Sequence, residues 1–264
     1  FKQKTAYEIG VRLVGSEMCI RDRYWDEQQA AVHARQEQRL GELALTSAPL
    51  RDADPAQVRS AMLAGIRQLG IDRLPWNPEL RDWQARILSL RHWFPEAGWP
   101  DVSDAWLMTH LSDWLEDRLD GISRRDHLPR LDLASALTRL VEGRARVRLN
   151  ELAPTHWQVP SGSRIRLHYQ PGEPPVLAVK LQELFGLADT PRIADGRIAV
   201  TLHLLSPAQR PIQVTQDLRG FWERTYAEVK KELKGRYPKH PWPDDPWTAA
   251  PTRRTQPARR SGSK

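Results

Sequence analysis

Residues 217–255 read DLRGFWERTYAEVKKELKGRYPKHPWPDDPWTAAPTRRT, and this stretch decides how the rest of the chain is organised. Leu218, Trp222, Tyr226, Val229 and Leu233 fall at three-and-four spacing. That predicts a helix from about Asp217 to Lys234 with these side chains turned inward. Glu223, Arg224, Glu228, Lys231 and Glu232 then occupy the watery side, and Gly235 is expected to cap the helix end. Beyond it, the prolines of RYPKHPWPDDPW (236–247) predict an extended arm without internal hydrogen bonds. Thr252 to Lys264 follow as a basic tail without acids. Nothing in this block is arranged for bond-making chemistry.

Upstream of the helix the apolar period is close to two. His156–Val159, Arg164–Tyr169, Val176–Lys180, Arg197–Leu205 and Ile212–Thr215 are predicted strands, separated by Gly and Pro turns. A short helix, Leu181 to Phe185, is expected to stop at Gly186. The simplest architecture for residues 153–235 is a small antiparallel sheet covered by one long helix. Residues 51–152 carry the helical period instead. Asp54 with Pro55, and Asn77 with Pro78, mark two helix starts, and Gly70 and Gly121 mark ends. Leu107, Leu111, Trp114 and Leu115 line a third helix; weaker patterns cover Asp132–Val141 and Arg144–Glu151. The connector WFPEAGWPDV (93–102) is expected to fold its tryptophans back on the bundle.

Two alternating runs, Ala31–Arg39 and Leu43–Ser47, flank Gly41 and predict a hairpin within residues 24–50. Two strands alone are marginal in water, so they read as the trailing edge of a sheet whose other strands are absent. Residues 1–23, FKQKTAYEIGVRLVGSEMCIRDR, lack periodicity, and Arg12 and Glu17 break any signal-peptide core. They resemble a translated adaptor sequence; an ordinary disordered or strand-like extension is the other reading. The whole is expected to be α+β, ending in an extended arm and tail over 236–264.

The net charge is +7, which favours an anionic partner only where the charge is clustered. Acids and bases interleave through most of the chain; clustering comes at the end, with Arg253, Arg254, Arg259, Arg260 and Lys264. Cys19 has no second cysteine to pair with, so a reducing, cytoplasmic setting is expected. No run reaches the ~20 apolar residues of a membrane span.

Two uses of the arm stay open. Arg236, Lys239 and His240 can track phosphates while Trp242 stacks on a base. Alternatively the arm is a strap folded on its own chain, anchored by Tyr237 and Trp242; Asp244 and Asp245 oppose a phosphate groove there. The tail either adds non-specific RNA or DNA affinity or is merely solvated. A protein-docking surface built on Trp93, Trp99, Trp242 and Trp247 is the alternative to nucleic-acid binding, its protein partner unspecified. Asp113, Glu116, Asp117 and Asp120 share a helical spacing that suits a solvated face better than a metal pair. The histidines lack zinc-ligand spacing. Ser161 and Ser163 lack a nucleophile elbow.

The segments PTHWQVPSGSRIRLHY (154–169), PPVLAVKLQELFG (174–186), HLLSPAQRPIQVTQDL (203–218) and KGRYPKHPWPDDP (234–246), with WLMTHLSDWL (106–115), resemble the C-terminal region of the HrpB family, bacterial DEAH-box ATP-dependent helicases. The resemblance implies two RecA-like lobes, a winged-helix domain, a helical bundle and an OB-like barrel ahead of this region, with residues 24–50 ending the barrel. It implies ATP and Mg²⁺ in the catalytic lobes and none bound here, because this sequence has neither a G-x-x-x-x-G-K-[ST] phosphate loop nor a DEAH box. The helicase core of the same protein would then be one partner of these residues.

Overall fold

A computed structural model describes residues 17–40, 43–49, 54–141 and 143–253. Strands β1 (Glu17–Asp26), β2 (Ala31–Leu40) and β3 (Leu43–Pro49) precede helices α1 (Pro55–Leu69), α2 (Pro78–Trp93), α3 (Asp104–Thr109), α4 (Leu111–Leu115), α5 (Leu133–Thr138) and α6 (Gly143–Leu152). Strands β4 (His156–Gln158), β5 (Arg164–His168), β6 (Val176–Lys180), β7 (Arg192–Ile193), β8 (Ile198–Ala199), β9 (Thr201–Leu205) and β10 (Pro211–Thr215) follow. The chain then forms α7 (Leu218–Gly220), a π-helical turn (Phe221–Thr225) and α8 (Tyr226–Arg236).

These elements make two compact units, Phe1–Asn77 with Asp104–Leu140, and Pro78–Ser103 with Val141–Lys264. The helical stretch expected over 51–152 is therefore shared out: α2 and α6 belong with the C-terminal sheet. No helix among the described residues is long and apolar enough to cross a membrane.

In the first unit β1, β2 and β3 form an antiparallel meander, an open sheet and not a closed barrel. The third strand comes from Glu17–Asp26, which pairs along its length with Ala31–Leu40, so the sheet takes in residues 17–23. Gly41, the expected turn, lies outside the described residues. Helix α1 starts as its sequence dictates: the Asp54 carboxylate accepts from Ala56 N at 3.1 Å, with Pro55 at the first position. Gly70 ends it at φ +87°, a conformation costly for a side chain. Met62 and Ile66 are fully buried, as are Leu107, Leu111 and Leu115. The helix predicted after Ser103 is broken at His110, whose ring stacks on Trp106 at 4.3 Å.

The second unit holds a five-stranded sheet in the order β10-β9-β6-β5-β4. It is mixed, which corrects the expected antiparallel sheet: β6 and β9 run parallel. A parallel pair needs a crossover of a dozen residues or more, and residues 181–200 supply it, carrying a 3₁₀ turn (Leu181–Glu183) and the small β7–β8 hairpin. Leu167, Leu177, Val179, Leu202 and Leu204 form its buried face. Arg86 of α2 is buried and closes the end of α6, donating to Ala153 O at 2.6 Å, Leu149 O at 3.3 Å and Asn150 Oδ1 at 2.7 Å. Burial lowers its pKa, and the nearby Tyr169 and Asp82 oppose that shift.

The last helix keeps its predicted faces: Leu218, Trp222, Tyr226 and Leu233 are buried, Val229 half-buried, and all five predicted outward residues exposed. Its first turn is held by Asp217, whose carboxylate accepts from Gly220 N at 2.8 Å. The π-helical turn adds a residue to the helical repeat. Phe221, Trp222 and Tyr226 form an aromatic cluster around Phe185, with Trp222 and Tyr226 5.4 Å apart and edge-on. The helix runs through Gly235 to Arg236, so Tyr237, and not Gly235, occupies the cap.

Candidate nucleic-acid interface

The arm after α8 is a strap laid back on the second unit. Its prolines cannot donate, and part of its remaining polar groups bond to the chain it crosses. Tyr226 OH donates to Pro243 O at 3.0 Å, and Gly186 N donates to Pro246 O at 2.9 Å. Thr252 N donates to Gln182 O at 3.0 Å, while Gln182 Nε2 returns a bond to Thr252 O at 3.2 Å. Burial pushes the Tyr226 phenol well above its ordinary pKa, and Asp244 adds to the shift. Trp242 Nε1 donates to Tyr237 O at 2.9 Å and His240 N to the same carbonyl at 3.2 Å, so the arm holds internal hydrogen bonds that the expected extended path lacks.

The strap's dock is the turn that follows β6. Gln182 and Glu183 are polar yet buried there, inside the apolar run LQELF. Ser161 and Ser163 both donate to Glu183 Oε2, Ser161 at 2.8 Å, so these serines hold a buried carboxylate in place. Gln182 and Glu183 belong to no motif in the sequence. Their one signal was two polar residues inside an apolar stretch, the pattern of buried groups with dedicated partners.

The residues proposed from sequence now have positions. His240 Nδ1 lies 2.7 Å from Gln182 Oε1. Burial lowers the His240 pKa, and Lys180 nearby lowers it further. Arg253 Nε donates to Ser161 O at 3.2 Å. His240 and Arg253 thus sit at one end of the sheet, where β6 stops and β5 begins. Arg236 is exposed and pairs with Glu232 one turn back, at 3.5 Å. Lys239 is exposed, and Trp242 is half-buried with its N–H engaged. Arg254, Arg259 and Arg260 lie outside the described residues. Of the tryptophans offered as an exposed docking surface, Trp99 is buried, and Trp93, Trp242 and Trp247 are half-buried. None is exposed.

A cleft of about 640 Å³ opens between α8 and the strap. Its three lysines, Lys230, Lys231 and Lys234, are matched by Glu223, Asp244 and Asp245 on the same lining. Lys230 pairs directly with Asp244 and holds that carboxyl below its usual range. The cleft is therefore charge-balanced. Asp120, from the acidic helical spacing, pairs with Arg59 at 2.9 Å. Among the described residues no group of three or more His, Cys, Asp or Glu side chains is placed to hold a metal ion. Among the described residues the lysine cleft, balanced by its own carboxylates, offers no unopposed cationic cradle for a triphosphate.

Comparison with known proteins agrees across sequence and structure. The family described as "ATP-dependent helicase C-terminal" (HrpB_C) matches residues 114–246. The chain is 44% identical over 232 residues to the ATP-dependent RNA helicase HrpB of Escherichia coli (strain K12), covering 88% of this chain and 29% of that protein. It is similar to the crystal structure of the E. coli DExH-box NTPase HrpB, with a TM-score of 0.75 and 41% identity over 96% of this chain and 31% of that one. A crystal structure of the E. coli DEAH/RHA helicase HrpB gives a TM-score of 0.65 and 39% identity over 86% of this chain and 29% of that one. The chain spans under a third of the length of these relatives.

Proposed function

Because this chain belongs to the HrpB family of ATP-dependent helicases and matches its C-terminal region, we propose that it is the non-hydrolytic accessory part of such a motor. It grips single-stranded nucleic acid, RNA in the first instance, and braces the helicase core of the same protein. ATP would be hydrolysed, with Mg²⁺ as cofactor, in RecA-like lobes whose motifs this sequence does not contain. Strands β1–β3 would complete an OB-like barrel in the longer architecture. The cytoplasm is the proposed compartment.

One observation carries the binding role: a net charge of +7 whose excess gathers beyond Thr252, directly after a strap that fixes Arg253 beside Ser161. A polycation next to an ordered anchor draws in a phosphate backbone without needing a pocket. Arg236, Lys239, His240 and Trp242 are proposed as secondary contacts along the strap. The test is a salt titration of labelled oligouridine binding by the whole chain and by a variant lacking residues 252–264. Each single-strand phosphate neutralised contributes about 0.7 to the slope of log K against log salt. The deletion is expected to lower that slope by about 2–3. Absence of binding by the whole chain at low salt contradicts the reading.

A further inference from the structure

The five strands of the second unit read HWQ, RIRLH, VLAVK, TLHLL and PIQVT, and none holds an Asp or Glu, in a chain with 33 acidic residues. Their alternation divides them into two faces. On one, Leu177, Val179, Leu202 and Leu204 are buried. On the other, Val176, Ala178 and Lys180 of β6 and Thr201, His203 and Leu205 of β9 stay half-buried, so that face is not sealed by a second layer.

The strand register carries this second face across the whole sheet. Ala178 pairs with His203 and Lys180 with Leu205; His203 pairs with Val214, which is 53% exposed. On the other side His168 pairs with Val176, and Arg166 and Arg164 pair with His156 and Gln158. Every charged side chain on these strands is therefore a cation on the same face. Arg166 is offset by Asp82 at 3.5 Å. Arg164 and Lys180 make no ion pair among the described residues. Two residues past Lys180, Gln182 receives His240 of the strap, and three before Arg164, Ser161 receives Arg253. The strap thus brings another cation to the end of the sheet where Arg164 and Lys180 stand.

We propose that this open sheet face is the platform on which single-stranded RNA lies, Arg164, Lys180 and Arg253 taking backbone phosphates and His203 and His168 meeting the bases. The inference rests on the accessory-grip function above and gives it a surface. Cations alone would suit any polyanion. Here small apolar patches (Val176, Ala178, Leu205, Val214) alternate with imidazole rings between the cations, and such a surface accepts splayed bases, which a duplex keeps stacked inside. Strands without Asp or Glu, with Asp82 at Arg166 as a neighbouring acid, also attract phosphate with less repulsion than the balanced lysine cleft imposes.

The experiment compares the whole chain with R164A/K180A and with K231A/K234A, a charge-matched change on the balanced cleft, in oligouridine binding across a salt series. R164A/K180A is expected to lower the salt slope by about 1.4 and to weaken low-salt binding about tenfold or more. K231A/K234A is expected to leave both unchanged. An unaltered slope in R164A/K180A, or an equal loss in the control, overturns the proposal. Should R164A/K180A fold poorly by circular dichroism, photocrosslinking of 4-thiouridine RNA to the unmodified chain decides. Adducts within 164–180 and 201–205 support the platform, and adducts confined elsewhere overturn it. No RNA binding by the unmodified chain sinks the accessory-grip function itself. Binding that is indifferent to Arg164 and Lys180 sinks only the sheet-face assignment.

Discussion

Arg86 shows how one side chain can hold an element in place. Its guanidinium fork reaches Ala153 O just beyond α6, shares Leu149 O with the backbone N–H of Ala153, and meets Asn150 Oδ1 at once. Replacing it with Met removes the charge but takes the Arg86 donors from Ala153 O and Asn150 Oδ1, while Leu149 O keeps its bond from Ala153 N. We expect R86M to destabilise the second unit by roughly 2–4 kcal/mol, read as a lowered urea midpoint. R86K should recover little, because one ammonium cannot span the same three acceptors. Legibility at this scale was uneven. Asp54 and Pro55 announced their helix start, since a cap is a local event written in adjacent residues. His240 and Trp242 were picked out from the arm, yet Gln182, the partner that fixes His240, was not. It lies 58 positions away, and the spacing of neither residue records that contact.

Elements were legible where one side-chain period governs. Strand β6 falls on Val176–Lys180 as the alternation predicts, and the last helix keeps its inward and outward faces. Strand direction was not legible, because alternation is identical in parallel and antiparallel partners; the length of the 181–200 crossover held the clue. The pairing of β1 escaped for another reason. Its strand begins in a segment without periodicity, and its backbone pairing with β2 is what defines it. Helix α1 meets β1 and β2 through a close approach at Gly65. A Cβ placed there would come within 2.2 Å of the Trp25 ring, and that ring is nearly fully buried. An indole cannot flex away as a lysine tip can. We therefore expect G65A to expel Trp25 and cost about 1–3 kcal/mol. Faster amide exchange across β1 and β2, with the second unit unaffected, would be the signature. Unchanged exchange would mean that the ring is held by other contacts.

For the whole molecule, family membership and charge point the same way. The residues hold no phosphate loop and no metal cluster among those described, yet they match the C-terminal part of an ATP-dependent helicase. Their excess charge is cationic and unevenly placed: balanced in the α8 cleft, unopposed at Arg164 and Lys180, and densest beyond Thr252. Composition alone reported the net charge. Its distribution over faces needed the strand register, which the sequence leaves implicit. Under the proposed function this body holds the track for a motor, and its loss should then weaken the motor's response to RNA more than its intrinsic turnover. The decisive measurement is RNA-stimulated ATP hydrolysis by a full-length family member with and without the region matching residues 153–264. Basal turnover is expected to persist in the truncated enzyme, while the RNA concentration for half-maximal stimulation rises about tenfold or more, the loss of several phosphate contacts. Stimulation by RNA that is identical in the two enzymes would contradict the account.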